Sequence, residues 1–430
     1  MMLSRRECFG LSIGAFAPYL LRGDNPYIGN HRAVYDSRGA LLPWTSWKNA
    51  LDREMKWYLA CPIENGYPRF IYMTFMTGDY TPVAPRHDFI PSMQNGMGII
   101  SYLKYFQWSG RREPRILDFA RYMGDYLVKE SLTPDTGKYP RFTRSTGIRE
   151  RFPQPPDCGT QDDKPYEIEP DKGGIAGYAL VLLYEQTQEK KYLDQALQNA
   201  RGLAANMQTG DSTRSPWPFR VDYRNGDFRG PVASNMVYNL RLFDKLIEHG
   251  HAEFRGPRAK LWDWIRELQL PALKDGSLWV QFFEDHQEPD NRNAWAPLNL
   301  ARYMIEKKEA LDPEWKEHSQ ALIDFCIRNF TSIRFGIPVC GEQTYDKEPW
   351  GGILSTFGAV LAMYSAAVGN DEYKALGYAA LNFAMYAIND DGCPRESATR
   401  PGRGGWQEDA HTDKVHNFVD AMTAFPEWGK

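Results

Sequence analysis

The sequence predicts an all-α protein: a double ring of helices, the (α/α)6 barrel or six-hairpin toroid, with short extended segments in the loops of one face. Three observations carry this. Long apolar segments begin near Pro91, Gly173, Val232, Asn293, Gly352 and His411 of the 430-residue chain, at intervals of 82, 59, 61, 59 and 59 residues. Amphipathic segments alternate with them. One more amphipathic segment, from about Thr45 to Ala60, precedes the first apolar one and is left to partner the last. That closes a ring, whereas an open superhelix would carry atypical polar repeats at its ends.

The apolar segments at Asn95–Phe106, Gly173–Tyr184 and Gly352–Tyr364 are rich in small residues and have almost no polar face. Such helices must be buried on every side. The amphipathic partners, near Glu113, Tyr192, Leu261, Trp315–Phe330 and Asp371, repeat apolar residues at three and four, so one face is buried and the other solvated. The long first interval holds a Pro-, Gly- and Arg-rich insertion, roughly residues 143–169. Each return from outer to inner helix carries a turn and a short extended stretch: Gly66–Arg69, Lys138–Arg141, Pro216–Arg220, Gly276–Trp279, Gly336–Val339 and Gly392–Arg395. A single domain over residues 42–430 follows.

A composition of 25% charged and 42% hydrophobic residues is that of a folded chain. A net charge of −4 argues against a general nucleic-acid binder. The six Cys form no C-x-x-C pair, and there is no Walker A loop and no His-Glu-x-x-His. The acidic run Glu284–Asp290 lacks calcium-loop spacing, so neither metal nor cofactor is expected. Residues 1–22 combine Ser4-Arg5-Arg6, an apolar run from Cys8 to Leu21 and the triplet Ala15-Phe16-Ala17. This is the pattern of a twin-arginine export signal, which places the mature protein, from near Pro18, in the periplasm or outside the cell. No later apolar run approaches a membrane span, so no membrane partner is expected after signal removal.

The six inner-helix N-termini share one face and bring positive dipole ends to it. Loop arginines, Arg141 and Arg220 among them, add to an anion-friendly basin suited to acidic sugars. Carboxylates fall at the same place: Asp88 before the first inner helix, Asp171 at the second, Glu342 and Glu348 before the fifth, and Glu408 before the sixth. Paired carboxylates with separated pKa values are what glycoside hydrolysis needs. Asp88, Asp171 and Glu342 are the expected catalytic residues. His87, Gln94, Asn95, Arg141, Arg220, Asn235, Trp295, Trp350, Glu408 and His411 are expected to bind substrate. Elimination or epimerisation at a uronate C5, with Tyr139, Tyr166, Tyr223 or His87 as base, is an alternative on the same barrel. A carbohydrate-binding protein without turnover is a third.

With His87-Asp88-Phe-Ile-Pro-Ser-Met-Gln-Asn-Gly96 and Asp171-Lys-Gly-Gly-Ile-Ala-Gly-Tyr-Ala-Leu-Val-Leu-Leu-Tyr184, the chain after about Leu42 resembles (α/α)6 glycoside hydrolases acting on uronic acids. It looks closest to the β-glucuronidases of glycoside hydrolase family 154, and more distantly similar to the unsaturated glucuronyl and rhamnogalacturonyl hydrolases. The resemblance implies Asp171 as general acid/base, with the His87-Asp88 pair beside it. It implies a secreted exo-acting enzyme that releases a uronic acid from an acidic oligosaccharide or polysaccharide. The pair Gly173-Gly174 departs from the pattern expected after that aspartate.

Overall fold

The computed structural model describes residues 25–430 apart from 72, 74, 84–89, 146–165, 281–287, 289, 400–404 and 408–413. The export signal and four expected site residues, His87, Asp88, Glu408 and His411, lie outside the described residues. Twelve α-helices among the described residues alternate as the periodicity predicts: α1 (Trp47–Leu59), α2 (Pro91–Trp108), α3 (Arg115–Lys129), α4 (Pro170–Thr187), α5 (Lys190–Ala205), α6 (Val237–Glu248), α7 (Arg255–Trp264), α8 (Trp295–Lys307), α9 (Trp315–Phe330), α10 (Gly351–Val368), α11 (Asp371–Met385) and α12 (Lys414–Ala424). They fall into two compact units.

The central unit, residues 61–76 and 80–292, holds α2–α7. Here α2 packs on α3 and α4, α4 on α5 and α6, and α6 on α7. Helices α2 and α4 are buried around most of their girth, as their apolarity requires. The Gly173-Gly174 pair has a packing reason. A Cβ on Gly173 would lie 2.0 Å from Phe142 Cζ, and one on Gly174 would lie 1.9 Å from Asn239 Oδ1. A ring and an amide therefore sit directly on the α4 backbone. Helix α6 starts at Val237 instead of near Val232 because the preceding backbone is tied elsewhere. Ala233 N donates to Ser215 Oγ at 2.7 Å, and Ser234 O accepts from Gln269 Nε2 at 2.8 Å. The expected extended returns form a hairpin, Ile63–Glu64 with Tyr67–Pro68, and a three-stranded antiparallel sheet of Glu167–Ile168, Arg220–Asp222 and Phe228–Arg229. Lys138–Arg141 makes a turn rather than a strand.

The terminal unit, residues 77–79, 293–430 and those up to 60, holds α1 and α8–α12. Here α8 packs on α9 and α10, and α10 on α11 and α12. Helix α10 is long and apolar enough to cross a membrane by length and composition, which corrects the reading that no later segment is. It is 78% buried inside the protein. Buried polar groups pin these helices: Asn417 Nδ2 donates to Ser355 Oγ and Thr356 Oγ1 at 3.0 and 2.9 Å, and its Oδ1 accepts from Arg302. The N-terminal arm reaches the far end of the sequence. His31 Nε2 meets Ile388 O at 2.7 Å and its ring stacks on Trp44 at 3.9 Å. Asn30 Nδ2 donates to Asn389 Oδ1 and Trp47 Nε1 to Asn382 Oδ1, both at 2.9 Å.

Glu54 and Lys414 form a buried ionisable pair in this unit. Glu54 lies in the apolar stripe Leu51, Glu54, Met55, Tyr58 of α1 and is fully buried, with no hydrogen-bond partner for either carboxylate oxygen among the described residues. Burial pushes its carboxyl up to about 7, against the opposing pull of the Lys414 ammonium. Lys414 is equally buried, and burial lowers its ammonium; its Nζ donates to Arg395 O at 2.9 Å.

Two outcomes follow. Gly173→Ala should destabilise the protein by about 1–3 kcal/mol through overpacking against Phe142, read as a lower midpoint in urea; an unchanged midpoint would show that the ring moves aside freely. The second concerns pH. Because the folded-state pKa of Glu54 is raised from 4.5 to about 7, its contribution is fully present below pH 4.5 and is lost as pH rises to 7. The loss is about 3 kcal/mol at most. Lys414, lowered, acts at the alkaline end with the opposite sign. Thermal midpoints between roughly pH 4.5 and 7 should therefore fall with pH in the wild type more steeply than in Glu54→Gln. Parallel curves would refute a titrating Glu54.

Candidate functional site

In the central unit the sequence Glu167-Ile-Glu169 alternates, so Glu167 projects from the face of the sheet opposite to Ile168. Its partner across the ladder is Asp222, and Arg229 lies opposite Arg220. The charged side chains of that face meet in pairs. Arg229 donates from Nε and Nη2 to the two oxygens of Glu167 at 2.8 and 2.6 Å, a bidentate clasp. Arg220 Nε donates to Glu169 Oε1 at 3.1 Å. Lys172 Nζ lies 3.8 Å from Glu169 Oε2 and 3.7 Å from Asp171 Oδ2. Glu169, Asp171, Lys172 and Arg220 are all buried, none more than 3% exposed. Glu169, Asp171, Lys172 and Arg220 thus meet at the first turn of α4, with the Glu167–Arg229 pair on the sheet before it, so the positive excess expected of the basin is balanced here.

A short seam holds the first turns of α2 and α4 in register. Ser92 Oγ donates to Arg144 O at 2.6 Å, Glu169 N donates to Ser145 Oγ at 2.6 Å, and Asn199 Nδ2 donates to Thr143 Oγ1 and Gly173 O at 2.8 and 2.9 Å. Gln94 and Asn95 are buried in the first turns of α2, where Asn95 Nδ2 donates to Pro91 O at 3.2 Å. The residue that leads into α2 is strained. Ile90 has φ 39° and ψ 58°, left-handed, which a β-branched side chain rarely adopts. Strain of this kind persists only when the surroundings enforce it, and it clusters at functional sites. The Ile90 side chain is buried, and its carbonyl accepts from Met93 N and Gln94 N.

The structure thus brings Gln94, Asn95, Asp171 and Arg220 into one unit, with the first turns of α2 and α4 joined through the seam. Arg141 stands apart: its guanidinium is exposed and pairs with exposed Asp135 at 3.2 Å. Asn235 lies just before α6, with its Oδ1 buried. Of the tyrosines considered as bases, Tyr139 is buried and burial pushes its phenol well up, while Tyr166 is capped by the Arg224 guanidinium at 3.4 Å. Tyr223 is buried edge-on to Tyr166.

The terminal unit carries a second set of carboxylates before α10. Glu342 Oε1 accepts from the Trp295 indole at 2.7 Å and its Oε2 from Gln343 Nε2 at 3.3 Å. Asp346 Oδ2 accepts from the Trp350 indole at 3.1 Å. Glu348 accepts from Ser397 Oγ at 2.5 Å and from Thr399. Each candidate here is thus oriented by an indole or a hydroxyl.

Sequence reasoning gave no role to Lys172, Glu169, Glu54 or Asn239. An acid inside an apolar helical stripe, as at Glu54, and an amide three residues into an apolar helix, as at Asn239, were the signals available. Among the described residues no group of three or more His, Cys, Asp or Glu could hold a metal ion.

No protein-family model and no curated protein sequence matches the chain. Solved structures do. A sugar epimerase from a ruminal bacterium superposes with a TM-score of 0.63 at 11% identity, over 87% of this chain and 98% of that one. The cellobiose 2-epimerase of Spirochaeta thermophila gives 0.63 at 14% identity, over 88% and 96%. The family 76 glycoside hydrolase α-mannanase of Bacteroides thetaiotaomicron gives 0.55 at 11%, over 89% and 97%. At these identities the likeness is one of fold: all-α, of the (α/α)6 barrel type that the helix periodicity predicts.

Proposed function

We propose that the chain is an exported carbohydrate-active enzyme, an exo-acting glycoside hydrolase of the β-glucuronidase kind that releases a uronic acid from an acidic glycan. The observation that carries this reading is the buried cluster at the start of α4. Burying charges is expensive even when they are paired, so a buried cluster is weak evidence of stability and a candidate functional site. Asp171 sits in that first turn with an ammonium 3.7 Å away, and an ammonium at that distance stabilises the ionised carboxylate. This favours Asp171 as the group that activates water or attacks the sugar, the reverse of the acid role that the family resemblance implies. The proton donor is then the partner carboxyl expected at Asp88. Lys172 and Arg220 keep the carboxylates of the cluster in place. The solved epimerases support a second reading, epimerisation of a sugar. Free uronic acid released from a glycoside distinguishes hydrolysis from it.

The test is turnover of an aryl β-glucuronide and of the matching β-glucoside. The wild type should prefer the glucuronide. Asp171→Asn keeps the shape of the side chain and removes its charge. It should lower kcat by 10³-fold or more while the thermal midpoint stays within a few degrees. Near-normal turnover by that variant would reduce Asp171 to a structural residue. Equal turnover of both glycosides would remove the uronic acid from the proposal. Export is checked by N-terminal sequencing of the protein from its native host, where the chain should begin near Pro18.

A further inference from the structure

Asn239 is fully buried in the first turn of α6, and neither Oδ1 nor Nδ2 of its amide has a hydrogen-bond partner among the described residues. An amide left dry in this way costs a few kcal/mol, so such groups are found holding a water or serving a site. Its place is specific. Asn239 Oδ1 lies 1.9 Å from where a Gly174 Cβ would be, so it occupies the side-chain position of Gly174 on α4. Gly174 is three residues after Asp171, and residues three apart on a helix stand on one face with Cβ positions about 5–6 Å apart. Neither atom of the amide is hydrogen-bonded directly to that carboxylate. One water, with two bonds of about 2.8 Å each, can bridge groups about that far apart. Asn199 shows the contrast: it also lies against this turn, but its amide is bonded to Thr143 and Gly173. The Asn235 Oδ1, just before the same helix, is a second buried amide oxygen without a partner among the described residues.

We infer that Asn239 is a positioning residue for Asp171, acting through one internal water that its amide holds against Gly174. The inference rests on the reading of Asp171 as the reacting carboxylate, but the water does not. Asn offers an acceptor and two donors, so it can hold a water whose remaining hydrogen points at a carboxylate. The glycine makes the room, which gives Gly174 a purpose beyond helix packing.

The decisive substitution is Asn239→Leu, which keeps the branched shape and removes every hydrogen bond. Without its buried amide the variant should unfold at the same temperature as the wild type or higher. Its turnover of the aryl β-glucuronide should fall tenfold or more, mainly in kcat. The limb of the pH–rate profile that reports Asp171 should shift. Asn239→Ser, which can still hold a water, should recover part of the rate. Wild-type kcat and an unmoved pH profile in Asn239→Leu would overturn the positioning role. A crystal structure of the wild type at high resolution tests the water by itself. Density within hydrogen-bond distance of both Asn239 and Asp171 is expected. An amide paired with protein groups, or a dry one, would overturn the inference whatever the enzyme's substrate proves to be. If the protein turns over no uronoside yet the density is present, the proposed function fails and the water site stands.

Discussion

A helix with no polar face cannot meet water anywhere along its length, and this single constraint organises each unit. Helices α2, α4 and α10 are apolar nearly all round. The hydrophobic term therefore encloses them, and the amphipathic helices between them supply the covering. Connections of two to seven residues make each inner helix antiparallel to the outer helix that follows it, and the longer returns carry the chain back to the starting end. Successive inner helices of a unit therefore point the same way, and their first turns gather at one end. The candidate residues follow from that geometry: Gln94 and Asn95 open α2, Asp171 and Lys172 open α4, and Asn239 opens α6.

Electrostatics at that end are settled by pairing. The sheet face that carries Glu167, Arg220 and Arg229 could not be buried with one sign of charge in excess, because an isolated buried ion costs many kcal/mol. Each cation at the start of α4 accordingly has a carboxylate: Arg229 with Glu167, Arg220 with Glu169, and Lys172 between Glu169 and Asp171. Removing Glu169 leaves Arg220 charged and buried, whereas neutralising Asp171 leaves Lys172 still facing Glu169.

The fold was legible because its signal is long-range repetition. Five intervals and a leftover amphipathic segment specify twelve helices without any knowledge of loops. Boundaries were less legible where side chains hold the backbone. Nothing local in Val232–Met236 reveals that Ser215 and Gln269, far away in sequence, will keep it out of α6. The site was legible as positions and not as partners. Asp171 could be placed at the start of an inner helix from spacing alone. The reason for Gly173-Gly174 depends on Phe142 and Asn239 arriving from other segments. Arg141 looked like Arg220 in the sequence, yet one is exposed and the other buried. The difference is made by strand pairing, which gives Arg220 an inward face and leaves Arg141 on a turn.

The N-terminal arm has a bearing on biosynthesis. The central unit is assembled from segments that follow one another, so its helices can dock as they leave the ribosome. The terminal unit cannot do the same. Asn30, His31 and Trp47 bond to residues 335 to 359 positions later. At about 5–20 residues per second, the arm and α1 wait on the order of tens of seconds for their partners to be made. During that time Trp47 lacks Tyr378 and Asn382, the α11 groups that it later packs against and bonds to. Docking of the arm and α1 therefore waits until residues 382–389 have been made.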